Sequence, residues 1–231
     1  MKAIFISVRT GSTRLPNKSI LKIKDKFTIE YVIDNVKKCT TELKEDKILC
    51  SIAEKNGINF YCGSELNKFK RWQGACERFD IDFFVTADGD DLFYDAGLSD
   101  LCFEQIKDND FIDGRGLYND VYGMKYSTLK TILDIPTETN IEPYEIVKFL
   151  KNTNLKIKKL TDVPDTYKKR NIRMTLDYEE DFKFFSTVIE NLKLDFSIKN
   201  VLNYIDDNPD VRYINYYREL DWKKNQGTEN E

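Results

Sequence analysis

Val8-Arg9-Thr10-Gly11-Ser12-Thr13-Arg14-Leu15-Pro16-Asn17-Lys18, set directly behind the apolar run Ala3-Ile4-Phe5-Ile6-Ser7, is the stretch from which the rest of the chain can be read. A β-branched run that breaks into a small-residue loop with three fixed positive charges has the make-up of a strand end that holds a polyphosphate. Arg9, Arg14 and Lys18 carry the charge, while Gly11 and Ser12 let backbone N–H groups approach an anion. Lys18-Ser19 superficially suggests the phosphate loop G-x-x-x-x-G-K-[ST]. The two required glycines are Ser12 and Asn17 here, however, and Pro16 removes a backbone donor, so an ATPase or kinase of that kind is set aside.

Downstream of the loop, Ile29, Val32, Ile33 and Val36 recur at helical spacing behind Thr28. Lys47-Ile48-Leu49-Cys50-Ser51-Ile52 reads as a second strand and Asn59-Phe60-Tyr61-Cys62 as a third, with a turn at Asn56-Gly57 between them. Such alternation predicts a parallel sheet. From Ser64 to Phe79 the positions Leu66, Phe69, Trp72, Ala75 and Cys76 predict an amphipathic helix. Its basic residues Lys68, Lys70, Arg71 and Arg78 read as a solvated face, with Arg71 beside Trp72 the one that could reach a phosphate or ribose. The apolar run Phe83-Phe84-Val85-Thr86-Ala87 then ends in Asp88-Gly89-Asp90-Asp91. Carboxyl ends of parallel strands form the ligand crevice, which puts this acidic cluster on the same rim as the basic loop.

Further along, a helix is expected over 96–107, strands at 110–113 and 121–126, and a helix over 127–133. Ile146, Val147 and Leu150 predict a helix in a small lobe or arm spanning about 115–165, and the alternating Leu155–Leu160 a strand. Ile172-Arg173-Met174-Thr175-Leu176-Asp177 also alternates and reads as a strand that ends at an acid. A helix with Phe182, Phe185, Val188, Ile189 and Leu192 follows, then a last helix through Val201–Ile205 and a turn at Asn208-Pro209. The polar tail, 223–231, is expected to be disordered, and 1–222 to form one domain.

Composition narrows the chemistry. The 36 basic and 40 acidic residues of this 231-residue chain are mixed along it, for a net charge of -4, which argues against a nucleic-acid surface. There is no histidine, so catalysis must rest on carboxylates, Lys, Arg and an oxygen-bound metal. The five cysteines, Cys39, Cys50, Cys62, Cys76 and Cys102, lack C-x-x-C spacing and read as reduced thiols. With no signal-like start and no run of about twenty apolar residues, a cytoplasmic, soluble protein is expected.

Mg²⁺ needs only one or two carboxylates where phosphate oxygens complete its shell. Asp90 and Asp177, each closing an apolar run, are the pair the sequence offers. Asp177 taken alone reads first as a cap for the helix from Tyr178 onward. Asp88 and Asp91 could bind a second ion, contact an acceptor or face solvent.

Arg9 to Lys18 resembles the A-R-x-G-S-x-R-L-P-x-K signature of the cytidylyltransferases that make CMP-sugars. It is closest to the spore coat polysaccharide biosynthesis protein F branch and related to the acylneuraminate and 3-deoxy-manno-octulosonate enzymes. Gly63-Ser64 through Trp72, Val85 through Asp90, Arg173 through Asp181 and Asp206 through Asn215 resemble further family segments in the same order. The resemblance implies an α/β, Rossmann-like (GT-A-like) nucleotidyltransferase fold: a mostly parallel central sheet, helices on both faces and a small dimerisation arm. It implies a homodimer, CTP as substrate with a small-molecule acceptor, and Mg²⁺. By position it gives Arg9, Ser12, Arg14 and Lys18 to the triphosphate, Asp90 and Asp177 to magnesium, and Arg71 to nucleotide or acceptor; Gly11 and Asp88 join the nucleotide contacts on the reading of the residues themselves. Val8, Asn17 and Leu92 depart from the family pattern, as do the extra acids Asp88 and Asp91. A metal-dependent glycosyltransferase, suggested by Asp88-Gly89-Asp90, and a non-catalytic nucleotide-binding protein are the competing readings.

Overall fold

The computed structural model describes residues 1–36, 47–64, 67–134, 150, 153–165, 171–192 and 196–225. Its centre is a five-stranded sheet of β1 (Lys2–Ser7), β4 (Phe83–Asp88), β6 (Val121–Lys125), β5 (Phe111–Gly114) and β7 (Ile157–Lys159), in that spatial order. A small hairpin of β2 (Lys22–Ile23) and β3 (Lys26–Phe27) follows the basic loop. β1 pairs with β4, and β5 with β7, in parallel; β6 runs against both of its neighbours. The sheet is therefore mixed, where the chain's β/α alternation predicted a parallel one. Strand order is a long-range property that local alternation does not encode.

The pleat sends alternate side chains to two cores. Phe5 and Phe84 stack at 4.4 Å on one face, covered by Phe69, Trp72 and Cys76 of α3 (Lys68–Phe79) and Leu129 and Ile132 of α5 (Tyr126–Leu133). Ile6, Val85 and Ala87 face the other core. There they meet α1 (Thr28–Val36), α4 (Ala96–Gln105), α6 (Glu179–Asn191) and α7 (Ile198–Asp207). Helices thus flank both faces, as expected.

Three predicted strands are not strands. Lys47–Lys55 is a helix, α2, in which Leu49, Ile52 and Ala53 are buried at helical spacing. A short apolar run fits either period, and burial on one side decides it. The helix ends at Gly57, whose φ of +64° lets Ile58 N–H bond back to the Ala53 carbonyl. Residues 59–62 pair with no strand among the described residues. Ile172–Asp177 is not a strand of the sheet. Its backbone is satisfied by Leu176 N–H donating to the Asp90 carbonyl and by Asn215 Nδ2 donating to the Arg173 carbonyl.

Helix α3 starts at Asn67, whose side chain accepts from Lys70 N–H, rather than at Ser64. Of the 115–165 region, β6, α5 and β7 belong to the sheet and its cover, while the helix expected near 146–150 lies mainly outside the described residues. At the C-terminus an additional helix, α8 (Arg218–Asn225), extends into the tail expected to be disordered; 226–231 lie outside the described residues. Arg218 clamps α8 to α6 through both carboxylate oxygens of Glu180, at 2.9 and 3.0 Å, and holds that carboxyl down at about 2. Cys50, Cys62, Cys76 and Cys102 are thiols, with Cys50 Sγ 3.5 Å from Cys62 Sγ; Cys39 lies outside the described residues. No helix among the described residues is long and apolar enough to cross a membrane.

Candidate active site

Parallel pairing sets the end of β1 against the end of β4, with Ser7 beside Asp88. Behind Asp88 the chain turns at Gly89, whose N–H donates to the Ser7 carbonyl at 2.9 Å. A Cβ on Gly89 would lie 2.8 Å from Val8 Cβ and 2.9 Å from the Ser7 carbonyl oxygen. The glycine is what lets the acid-bearing turn lie flat on the root of the basic loop. Gly89→Ala is accordingly expected to destabilise the protein by about 1–3 kcal/mol, as overpacking against backbone does. A denaturant midpoint equal to wild type would contradict this.

The loop folds back through Asn17, in the left-handed region at φ 57°, into a single turn over Lys18–Ile20. Ser19 Oγ donates to the Arg9 carbonyl at 3.2 Å, and Thr28 Oγ1 to the Lys18 carbonyl at 2.5 Å. These bonds fix the backbone from which Lys18 projects. Its ammonium lies 2.5 Å from Asp90 Oδ2 and 2.9 Å from Asp177 Oδ1. Arg14 Nη2 reaches the same Asp177 oxygen at 2.8 Å. Asp90, Asp177, Arg14 and Lys18, expected from sequence to share one rim, therefore meet in one cluster.

Behind Asp177 stands a buried polar network. Arg173 Nη2 donates to Asp177 Oδ2 at 3.0 Å and its Nε to Asp181 Oδ1 at 2.9 Å. Asp181 also accepts from the N–H groups of Asp177 and Tyr178, both at 2.9 Å, and from Asn215 Nδ2 at 2.9 Å. Tyr178 is the residue that opens α6, with Asp181 bonding back to it. Asp177 is thus not the helix cap, and its carboxylate is committed to cations. Sequence reading gave Arg173, Asp181 and Asn215 no role. An arginine between Ile172 and Met174 in an apolar run was the available signal, because a buried guanidinium needs partners.

The charges are unequal. Burial would raise the Asp177 carboxyl, but Lys18, Arg14 and Arg173 together hold it below the usual range. Burial, joined by the neighbouring Asp177 and Asp88 carboxylates, pushes Asp90 up despite Lys18. Desolvation of Lys18 is outweighed by the two carboxylates, which raise it. Asp91, buried beside Asp90 and Asp88, is pushed well up and accepts from Thr175 Oγ1 at 3.2 Å.

The other expected site residues have different surroundings. Arg9 is exposed and makes no ion pair among the described residues. Around Gly11 there is open space, with no atom within 4 Å of where a Cβ would be. Ser12 N–H, expected to face an anion, donates instead to the Thr10 carbonyl at 2.8 Å, and Ser12 Oγ accepts from Leu15 N–H at 3.3 Å. Arg71 donates to the Ser64 carbonyl at 2.5 Å, so it braces the approach to α3. Asp88 pairs with Lys68 at 2.9 Å, a lysine read from sequence as surface charge. Lys68 lies 5.5 Å over the Trp72 ring, whose Nε1 donates to Ser7 Oγ at 3.1 Å.

Among the described residues no three His, Cys, Asp or Glu side chains form a metal cage of their own. Two carboxylates that already bracket one cation nevertheless fit a hard divalent ion whose shell is completed by phosphate oxygens.

A cytidylyltransferase structure from Leptospira borgpetersenii superposes with a TM-score of 0.78 at 25% identity, over 91% of this chain and 96% of that one. The fold is that of an α/β nucleotidyltransferase. The chain belongs to the cytidylyltransferase family, whose sequence profile matches residues 3–207. It is also 27% identical to the uncharacterised protein MJ1063 of Methanocaldococcus jannaschii, over 93% of this chain and 95% of that one. With the spore coat polysaccharide biosynthesis protein SpsF of Bacillus subtilis it shares 21% identity, over 89% of this chain and 94% of that protein.

Proposed function

We propose that this chain transfers CMP from CTP to a small acceptor, an acidic sugar or a phosphorylated or phosphonate compound, with release of pyrophosphate and dependence on Mg²⁺. Within the family, the motif resemblance and the similarity to SpsF support a reading as a member of the spore coat polysaccharide biosynthesis branch. The observation that carries the reading is the convergence of Arg14 and Lys18, from the loop behind β1, on Asp90 and Asp177. Anion-binding cations and metal-binding carboxylates then share one site.

In the reaction an acceptor oxygen forms a bond to the α-phosphorus of CTP as the bond from that phosphorus to the β-phosphate oxygen breaks. Arg9, Arg14 and Lys18 neutralise charge that grows on the departing pyrophosphate. Gly11 borders open space on that side of the loop and leaves room for the triphosphate. Asp90 and Asp177 would hold Mg²⁺, which when bound supplies charge stabilisation to the phosphate oxygens. Arg173 keeps Asp177 oriented from behind. Asp88, 43% exposed, is the acid open to an incoming hydroxyl and takes its proton; a phosphate or phosphonate acceptor has none to lose.

Purified protein given CTP, Mg²⁺ and a panel of acidic sugars, phosphorylated compounds and phosphonates is expected to release pyrophosphate with one acceptor class. It should release little with ATP, GTP or UTP. Consumption of a UDP-sugar without pyrophosphate release from any nucleotide would overturn the reading.

A further inference from the structure

Lys18 occupies a position that two chemistries need. Its ammonium sits between Asp90 Oδ2 and Asp177 Oδ1, at 2.5 and 2.9 Å. A divalent ion ligated by those same oxygens would lie about 2.0–2.1 Å from each. Ammonium and metal therefore exclude one another. The two carboxylates depend on Lys18 to different degrees. Asp177 keeps Arg14 at 2.8 Å and Arg173 at 3.0 Å if Lys18 leaves. Asp90 has no other cationic partner among the described residues, so it would be left uncompensated unless another cation arrived. Lys18 itself is 13% exposed, and an ammonium drawn from two carboxylates needs a replacement anion. Its backbone is pinned by Thr28, which leaves the four-carbon side chain as the part that moves.

We infer that the Lys18 ammonium holds the divalent-cation position in the nucleotide-free protein and exchanges with the metal when a triphosphate arrives to take Lys18. The metal position is that of the reading above. The exchange makes Lys18 a positioning residue before it is a phosphate ligand. It also makes binding of metal and nucleotide strongly and positively coupled. Each ligand supplies the partner that the other's entry would strip away, so metal alone binds poorly.

The test titrates Mn²⁺ alone, in the absence of nucleotide, and reads free Mn²⁺ by electron paramagnetic resonance. Lys18→Met is expected to tighten Mn²⁺ binding at least tenfold over wild type, and adding Asp90→Asn should remove the gain. A Lys18→Met protein that binds Mn²⁺ no more tightly than wild type overturns the exchange. A second measurement on wild type covers failure of the variant to fold: amine labelling of Lys18, mapped by mass spectrometry, should speed up several-fold when Mn²⁺ saturates the site. An unchanged labelling rate overturns it equally. Both readouts are independent of turnover. A wild-type protein that releases no pyrophosphate would sink the functional reading and leave the exchange standing, whereas unchanged Mn²⁺ affinity would do the reverse.

Discussion

Replacing Asp90 with Asn is expected to lower kcat/KM for pyrophosphate release by roughly 10²–10³-fold, equivalent to about 3–4 kcal/mol of transition-state stabilisation, with the unfolding midpoint unchanged or slightly raised. The asymmetry follows from the environment of the carboxylate. Asp90 is pushed up by burial and by the Asp177 and Asp88 carboxylates, so the folded protein keeps its charge there at a cost. Asn preserves the volume, and its carbonyl oxygen still accepts from Lys18, while the repulsion disappears. Function takes the opposite course, because a neutral amide is a poor ligand for a hard divalent ion. Asp88→Asn serves as the comparison: that side chain is 43% exposed and pairs with Lys68, so its loss should weaken turnover less than the loss of Asp90. Pyrophosphate release and thermal unfolding on the same preparations check both halves. Near-wild-type kcat/KM in Asp90→Asn would remove this residue from the metal site.

That Asp90 follows a strand end presenting acids was legible in the sequence because its neighbourhood is chemically unambiguous. An apolar run ending in Asp88-Gly89-Asp90-Asp91 has few uses other than a strand end presenting acids, and β4 occupies Phe83–Asp88. The basic loop was legible for the same reason. What the loop's charges do in the absence of ligand was not. Cations read as waiting for phosphate instead neutralise acids 72 and 159 residues away, and no local pattern reports such pairings. The misread elements share a cause as well. Residues 47–52 form too short an apolar run to show its period, and α2 owes its helical state to Leu49, Ile52 and Ala53 meeting the core on one side. The apolar–polar alternation in 172–177 does not carry over into burial, because Arg173 and Asp177 are buried along with Ile172, Met174 and Leu176, and the segment lies beside the Asp90 turn, where Leu176 N–H donates to the Asp90 carbonyl instead of joining a ladder. Register and strand order, including the antiparallel β6, depend on contacts between segments that the sequence separates.

The largest stability effect is expected from Arg173→Met, at about 3–5 kcal/mol, the usual cost of removing one partner from a buried ion pair. The side chains of Arg173, Asp177 and Asp181 are 3%, 1% and 0% exposed, so no solvent stands by to replace the guanidinium. Met fills a similar volume and keeps the packing, which confines the loss to electrostatics and hydrogen bonding. Arg173→Lys should recover only part of it. One ammonium cannot reproduce the fork that places Nε on Asp181 and Nη2 on both Asp181 and Asp177. A fall in the denaturant midpoint at unchanged slope would report this as lost stability of the native state, and a loss below about 1 kcal/mol would contradict the network's role. The two carboxylates then divide the consequences. Asp181 retains the N–H groups of Asp177 and Tyr178 and the Asn215 amide, so the start of α6 survives. Among the described residues Asp177 retains only the cations of Arg14 and Lys18, both on the loop behind β1, and loses Arg173, which holds its far oxygen. The folded fraction of Arg173→Met should therefore show a raised metal requirement in the pyrophosphate assay, beyond what its reduced stability explains. A metal requirement identical to wild type would show that Arg173 supports the fold without positioning Asp177.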